Sequence, residues 1–225
     1  MIQEKRNTAQ ALLHHTDLST KVYDLLFNRL VTRKIKAEDR LIEENLAKEF
    51  NISRTPIRAA LNRLNKDGLI ELIPRKGGSV RKLGTKDVDE VYELRQVLEG
   101  LAICLSGSKL TEKELNKLKK LLKQSKICLS KDSTAQLAKL DSEFHRIIIN
   151  YCGNKRLIEF LESLYNFVQI FRVMGYYRPI RAKQAWREHD KILKALIKGD
   201  IDKAQKLMKE HILNAKKYIL SDFQK

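Results

Sequence analysis

Asp141 and His145 stand four residues apart in "LDSEFHRIII", a spacing that puts a carboxylate and an imidazole on one helix face. Two more histidines, His189 in "WREHDKIL" and His211 in "LMKEHIL", flank the turn signal "KGD" at 198–200 at nearly equal distance. An antiparallel helix pair closed by that turn brings both imidazoles to one height, roughly 15 Å from the turn. One carboxylate and three imidazoles converging inside a helical bundle make a metal-ligand set. Without a thiolate, the set suits Zn²⁺, Ni²⁺, Fe²⁺ or Mn²⁺. On an octahedral ion it leaves two positions for a bidentate ligand such as a carboxylate. Singly, each histidine reads as a core or surface residue; the joint placement is what reads as a site.

A second constellation is "SRTPIRAALNRL", residues 53–64. Ile57, Leu61 and Leu64 form an inward stripe, while Arg54, Thr55 and Arg58 share the outward face near the helix start. Ser53 is placed to cap this helix, and Pro56 falls in the first turn, where its missing N–H costs nothing. Positive side chains at the end where the helix dipole is already positive call for an external anion. Such an end is what a helix-turn-helix inserts into the major groove. There Arg54 and Arg58 can reach guanine edges or phosphates, and Ser53 and Thr55 can bond phosphate oxygens. Arg75, Lys76 and Gly77 give a second basic point, on a hairpin tip.

The elements that must position these groups follow from periodicity. "STKVYDLLFNRLVTRKI" repeats apolar residues at helical spacing, with Val22, Leu25, Leu26, Leu30 and Val31 inward. "EENLAKEF" is a short second helix with Leu46, Ala47 and Phe50 inward, "NIS" a turn, and 53–67 a third helix stopped by Gly68. "LIELI" and "SVRKL" read as paired strands around the turn "PRKGG". Three helices and a hairpin make a winged helix-turn-helix over 18–83, behind a flexible arm at 1–17. From Thr85, expected to cap the next helix, the chain reads as helix to its end. Breaks at "SGSKLT", "SKDS", "YCGN", "GYYRP" and "KGD" divide 84–225 into six or seven helices. The fold class is mainly α. The lysines of 109–131 alternate with leucines at helical spacing and read as a solvated face.

Composition bounds the partners. The 225 residues carry a formal charge of +17. It is spread over both halves: 17 basic against 10 acidic residues in 1–84, and 28 against 18 in the rest. A polyanion is the expected partner, though charge alone does not say which half meets it. Cys104, Cys128 and Cys152 form no metal or disulfide pattern and suit a reducing, cytoplasmic setting. No apolar run spans a membrane and the N-terminus has no signal-peptide core.

"LAKEFNISRTPIRAALNRLNKDGLIELIPRKGGSV" resembles the DNA-binding domain of the GntR family of bacterial transcription regulators. The resemblance implies that Arg54, Thr55 and Arg58 contact an operator, with Lys76 and Gly77 on the wing. Asn51 stands where the family's turn has Gly, a mild departure because Asn tolerates the left-handed conformation. Glu44 stands where some relatives place a DNA-contacting arginine, so it is left out of the site. "VYELRQVLEGLAI", "DSEFHRIIINYCGNKRL" and "EHDKILKALIKGDIDKAQKLMKEHI" are similar to the all-helical FCD domain of the FadR subfamily. By that resemblance Asp141, His145, His189 and His211 match the family's metal positions, and Arg95 matches an arginine facing the effector pocket. Arg95 reads equally as an ion pair with Glu99, and Asn154 as a pocket residue or a helix cap.

The expectation is a homodimeric, DNA-binding repressor reading an approximate palindrome, gated by a small carboxylate at the metal. A metal sensor would use the same residues. A metal hydrolase fused to a DNA-binding module would need a general base, and Glu143 and Glu188 are offset from the ligand faces.

Overall fold

The computed structural model describes residues 18–73, 77–130, 133–176 and 179–223. The expected arm at 1–17 and the wing residues Arg75 and Lys76 lie outside them. The chain divides into two compact units between Leu83 and Gly84.

In the first unit α1 covers 18–31, followed by β1 (Arg40–Leu41), α2 (Glu43–Phe50), α3 (Arg54–Lys66), β2 (Ile70–Ile73) and β3 (Gly77–Val80). The apolar stripes meet in one core: Leu26, Ile57, Leu61 and Leu64 are fully buried, with Val22, Leu30 and Leu46 beside them. Each such side chain contributes roughly 1.5–3 kcal/mol on leaving water. Leu25, expected inward, is 41% exposed, and Tyr23 takes the inward place.

The sheet is antiparallel in the order β1-β3-β2, with Ile70 opposite Val80 and Ile73 opposite Gly77. Two features differ from expectation. Strand β1 is only two residues long and has no periodicity to reveal it. The return strand begins at Gly77 and ends at Val80, instead of covering 79–83. The glycines belong to the strand because nothing larger fits there. At Gly77, with φ +85°, a Cβ would lie 2.2 Å from the Leu41 carbonyl oxygen; at Gly78 it would lie 2.8 Å from Ile70 Cδ1.

Asn51 ends α2 in the left-handed region, φ 52° and ψ 49°. That turn sets the course of the chain between α2 and α3. Asn51→Ala is expected to lower the stability of the first unit by about 1 kcal/mol, and Asn51→Gly to leave it nearly unchanged, in denaturant titration of the full chain. Equal loss in both variants would show that the side chain, not the backbone, holds the turn.

The second unit has six helices among the described residues: α4 (Thr85–Ser106), α5 (Glu112–Leu129), α6 (Thr134–Asn150), α7 (Lys155–Tyr176), α8 (Pro179–Ile197) and α9 (Ile201–Phe223). Gly84, not Thr85, is the cap residue of α4; its N–H donates to Asp87 Oδ2 at 2.8 Å. Helix α9 packs on α4 and α8, and α6 on α5, α7 and α4. The α8–α9 turn is closed by Gly199 (φ +71°) and by Asp200 N–H donating to the Ala195 carbonyl at 3.0 Å. On α5, Leu118, Leu121 and Leu122 are buried while Lys113, Lys117, Lys120 and Lys123 are exposed.

Candidate metal centre and nucleic-acid interface

Asp141 and His145 lie one turn apart on α6; His189 comes from α8 and His211 from α9. All four are buried, and one ligand atom from each falls within 4.8 Å of the others. His189 Nε2 is 3.3 Å from His145 Nε2, 3.2 Å from His211 Nε2 and 3.4 Å from Asp141 Oδ1. The Phe144 ring stacks on His189 at 4.2 Å between centroids and fixes its plane. The level placement of His189 and His211 follows from the α8–α9 turn, as the spacing around "KGD" implies.

The outer edges of the rings are also held. His145 Nδ1 meets Glu99 Oε2, and His211 Nδ1 meets Glu188 Oε2 at 2.7 Å. Carboxylates at Nδ1 favour a proton there and turn the Nε2 lone pairs inward. The Nε2 atoms of His145, His189 and His211 and an Asp141 oxygen thus face one point, as the ligands of a cation do. The donor set therefore fits a divalent ion. Burial pushes the His189 imidazole well below its ordinary range, and crowding by His211 pushes it further. Burial also lowers His211, to about 4, against the opposing bond from Glu188. Both rings are thus neutral, the form that ligates metal.

Sequence reasoning missed the charges around this centre. Burial would raise the Asp141 carboxyl, but Arg172 beside it, with the histidines, holds it well below its usual range. Burial would raise the Glu188 carboxyl, but the bond to His211 and then Arg181, whose Nη1 donates to Oε2 at 2.8 Å, bring it down to about 2. Gln169 Nε2 and Arg172 Nη1 both donate to Ser142 Oγ, the latter at 2.9 Å. The available signal was Arg172 itself, a charge inside the apolar run "FVQIFRVM". Glu188, read as offset from the ligand face, instead anchors His211.

Arg95 makes the ion pair with Glu99 that its spacing allows. It is 2% exposed, and its Nε donates to Glu99 Oε1 at 2.8 Å. Its Nη2 lies 2.8 Å from the same oxygen but off the hydrogen-bond line. Nη2 is left without a hydrogen-bond partner among the described residues. Arg95 and Arg172 line two cavities. One, of about 330 Å³, adds Arg181, Asp141 and His211; the other, of about 480 Å³, adds Glu99, Ser142 and His145. Both volumes include open solvent at the mouth. Asn154 borders neither. Its Oδ1 accepts the Leu157 N–H at 3.1 Å, the bond of the helix-cap reading. Asn154→Ala is expected to cost about 1 kcal/mol in thermal unfolding with metal content unchanged.

In the first unit, Ser53, Arg54, Thr55 and Arg58 are exposed at the head of α3, and Pro56 is buried. Two expectations are corrected. Ser53 occupies the cap position with extended backbone but makes no side-chain cap bond. The arginines are not bare charges. Arg58 Nε lies 3.0 and 3.2 Å from the two Glu43 carboxylate oxygens, and its Nη2 donates at 2.8 Å. Arg54 Nη2 lies 3.3 Å from Glu44 Oε2. The bonds from Arg58 hold the Glu43 carboxyl below its ordinary range. Gly77 opens β3 opposite Ile73, against the Leu41 carbonyl.

Comparison with known proteins places both units. The family model described as bacterial regulatory proteins, gntR family, matches residues 18–80, and that of the FCD domain matches 90–214. The uncharacterized HTH-type transcriptional regulator YdhC of Bacillus subtilis is 32% identical over 192 residues, 85% of this chain and 84% of the relative. The HTH-type transcriptional repressor RspR of Escherichia coli is 26% identical over 206 residues, 91% and 90% of the two chains. The solved structure of E. coli McbR/YncC has the same fold, with a TM-score of 0.80 at 24% identity over 92% of this chain and 98% of that one. No helix among the described residues is long and apolar enough to cross a membrane.

Proposed function

Because the chain belongs to the GntR family of bacterial transcription regulators, joined here to an FCD domain, we propose that it is a cytoplasmic repressor of the FadR subfamily, gated by a small carboxylate. The observation that carries this reading is the convergence of Asp141, His145, His189 and His211 within 4.8 Å. These residues would hold one Zn²⁺, Ni²⁺, Fe²⁺ or Mn²⁺ ion, which supplies open coordination positions to an anionic oxygen ligand.

Charge balance supports the class of effector. Arg95, Arg172 and Arg181 are matched by Glu99, Asp141 and Glu188 in pairs within hydrogen-bond reach. The three guanidinium and three carboxylate charges cancel. A divalent ion adds two positive charges in a low dielectric, and a small carboxylate offsets them. Arg95, with Nη2 unbonded, is the residue we assign to that ligand.

Operator binding is assigned to Ser53, Arg54, Thr55 and Arg58 on α3, with Arg75, Lys76 and Gly77 on the wing. The repressor sense follows the relative RspR. Homodimerisation is supported by an apolar stripe on α4, where Leu94, Val97 and Leu101 are 51%, 65% and 41% exposed. A dimer would read an approximate palindrome.

The test uses the full chain, stripped with chelator and reloaded with each ion in turn. Its duplex is one the wild type selects from a random library. A carboxylate series is expected to contain a member that shifts duplex affinity by about 5–150-fold, in the reloaded chain only. Equal affinity with and without ion, for every carboxylate, would retain the DNA-binding reading and discard the effector.

A further inference from the structure

Two adjacent acidic residues open α2, and each reaches across to an arginine of the helix assigned to the operator. Glu43 takes Arg58 through a two-pronged fork, and Glu44 takes Arg54 through one contact at 3.3 Å while also holding Lys48 at 3.2 Å. A carboxylate beside a phosphate-binding surface opposes the general attraction that holds a protein on any DNA. A cost of that kind persists only where it yields something else. The fork supplies it: Nε and Nη2 of Arg58 are fixed in one plane, and Nη1 keeps no partner among the described residues.

We propose that Glu43 and Glu44 are specificity-determining positioning residues that keep Arg58 and Arg54 from acting as free phosphate-binding cations. On non-operator DNA each arginine would have to leave its carboxylate to reach a phosphate. On the operator, a guanine edge is met by a guanidinium already oriented. The acids thus lower affinity for all sequences and lower it most for the wrong ones. The inference rests on the operator role assigned to α3 above.

The test compares wild type, Glu43→Gln and Glu44→Gln, as full chains, on the selected duplex and on a random-sequence duplex over a range of salt. Loss of each charge is expected to raise affinity for the random duplex and steepen its salt dependence by about one counterion. The ratio of operator to random affinity is expected to fall by about five-fold or more for Glu43→Gln, with a smaller fall for Glu44→Gln. In an Arg58→Ala background, Glu43→Gln is expected to have no further effect on that ratio, which a merely structural role would not produce. An unchanged ratio, or equal gains on both duplexes, overturns the proposal and leaves the operator role of α3 standing. If wild type selects no sequence, the operator role falls and this inference with it.

Discussion

His189→Ala is expected to reduce bound metal from about one ion per chain to less than about a tenth, measured by elemental analysis after dialysis without chelator. His189 is the strongest choice because its Nε2 lies within 3.4 Å of all three other ligand groups. Its ring stacks on Phe144, and that packing does not depend on an ion, so the site is held in shape before loading. Losing a partner in the surrounding shell costs about 10–100-fold in metal affinity, and loss of a ligand itself costs more. No ion in either protein, after refeeding with Zn²⁺, Ni²⁺ or Mn²⁺, would make the histidines a hydrogen-bonding pocket or core. Full occupancy in the variant would remove His189 from the ligand set.

Arg58→Ala is expected to weaken binding to the selected duplex by about 1–3 kcal/mol, or 5–150-fold, and to relax preference at one base position in each half-site. The side chain is exposed and contributes nothing to the core beneath it, where Ile57 and Leu61 are fully buried. Its fork to Glu43 is exposed and adds little to stability, so a stability change does not confound the measurement. Duplexes carrying each alternative base separate two roles. Loss on one sequence only marks a base contact. Equal loss on every sequence marks a phosphate contact, and no loss removes Arg58 from the interface.

The convergence of the four residues was legible because helical geometry converts spacing into position. An interval of four residues and a symmetric flank around "KGD" fix where Asp141, His145, His189 and His211 fall on their helices. The core stripe of α3 was legible for the same reason. Gly77 was misread because its cause lies 36 residues away, in the Leu41 carbonyl that passes close to it. No local pattern encodes such an approach. The ion pairs of Arg54 and Arg58 were hidden for a related reason. Glu43 and Glu44 open α2, and only the crossing of α2 and α3 shows that they face the arginines.

The centre joins segments far apart in the chain. Glu99 on α4, His145 on α6, and Glu188 and His211 on α8 and α9 form one connected set of contacts, from residue 99 to residue 211. An ion held among them, as proposed, would rivet the helical unit across nearly its whole length. Loading and folding would then become one equilibrium, and free ion at a hundred times its dissociation constant would add about 2.7 kcal/mol to the folded state. Supply of the ion would thereby govern how long the chain survives proteolysis, as well as what it binds. A cell short of metal would hold fewer copies of this regulator, and the genes beneath it would respond to scarcity through protein turnover before any effector arrived.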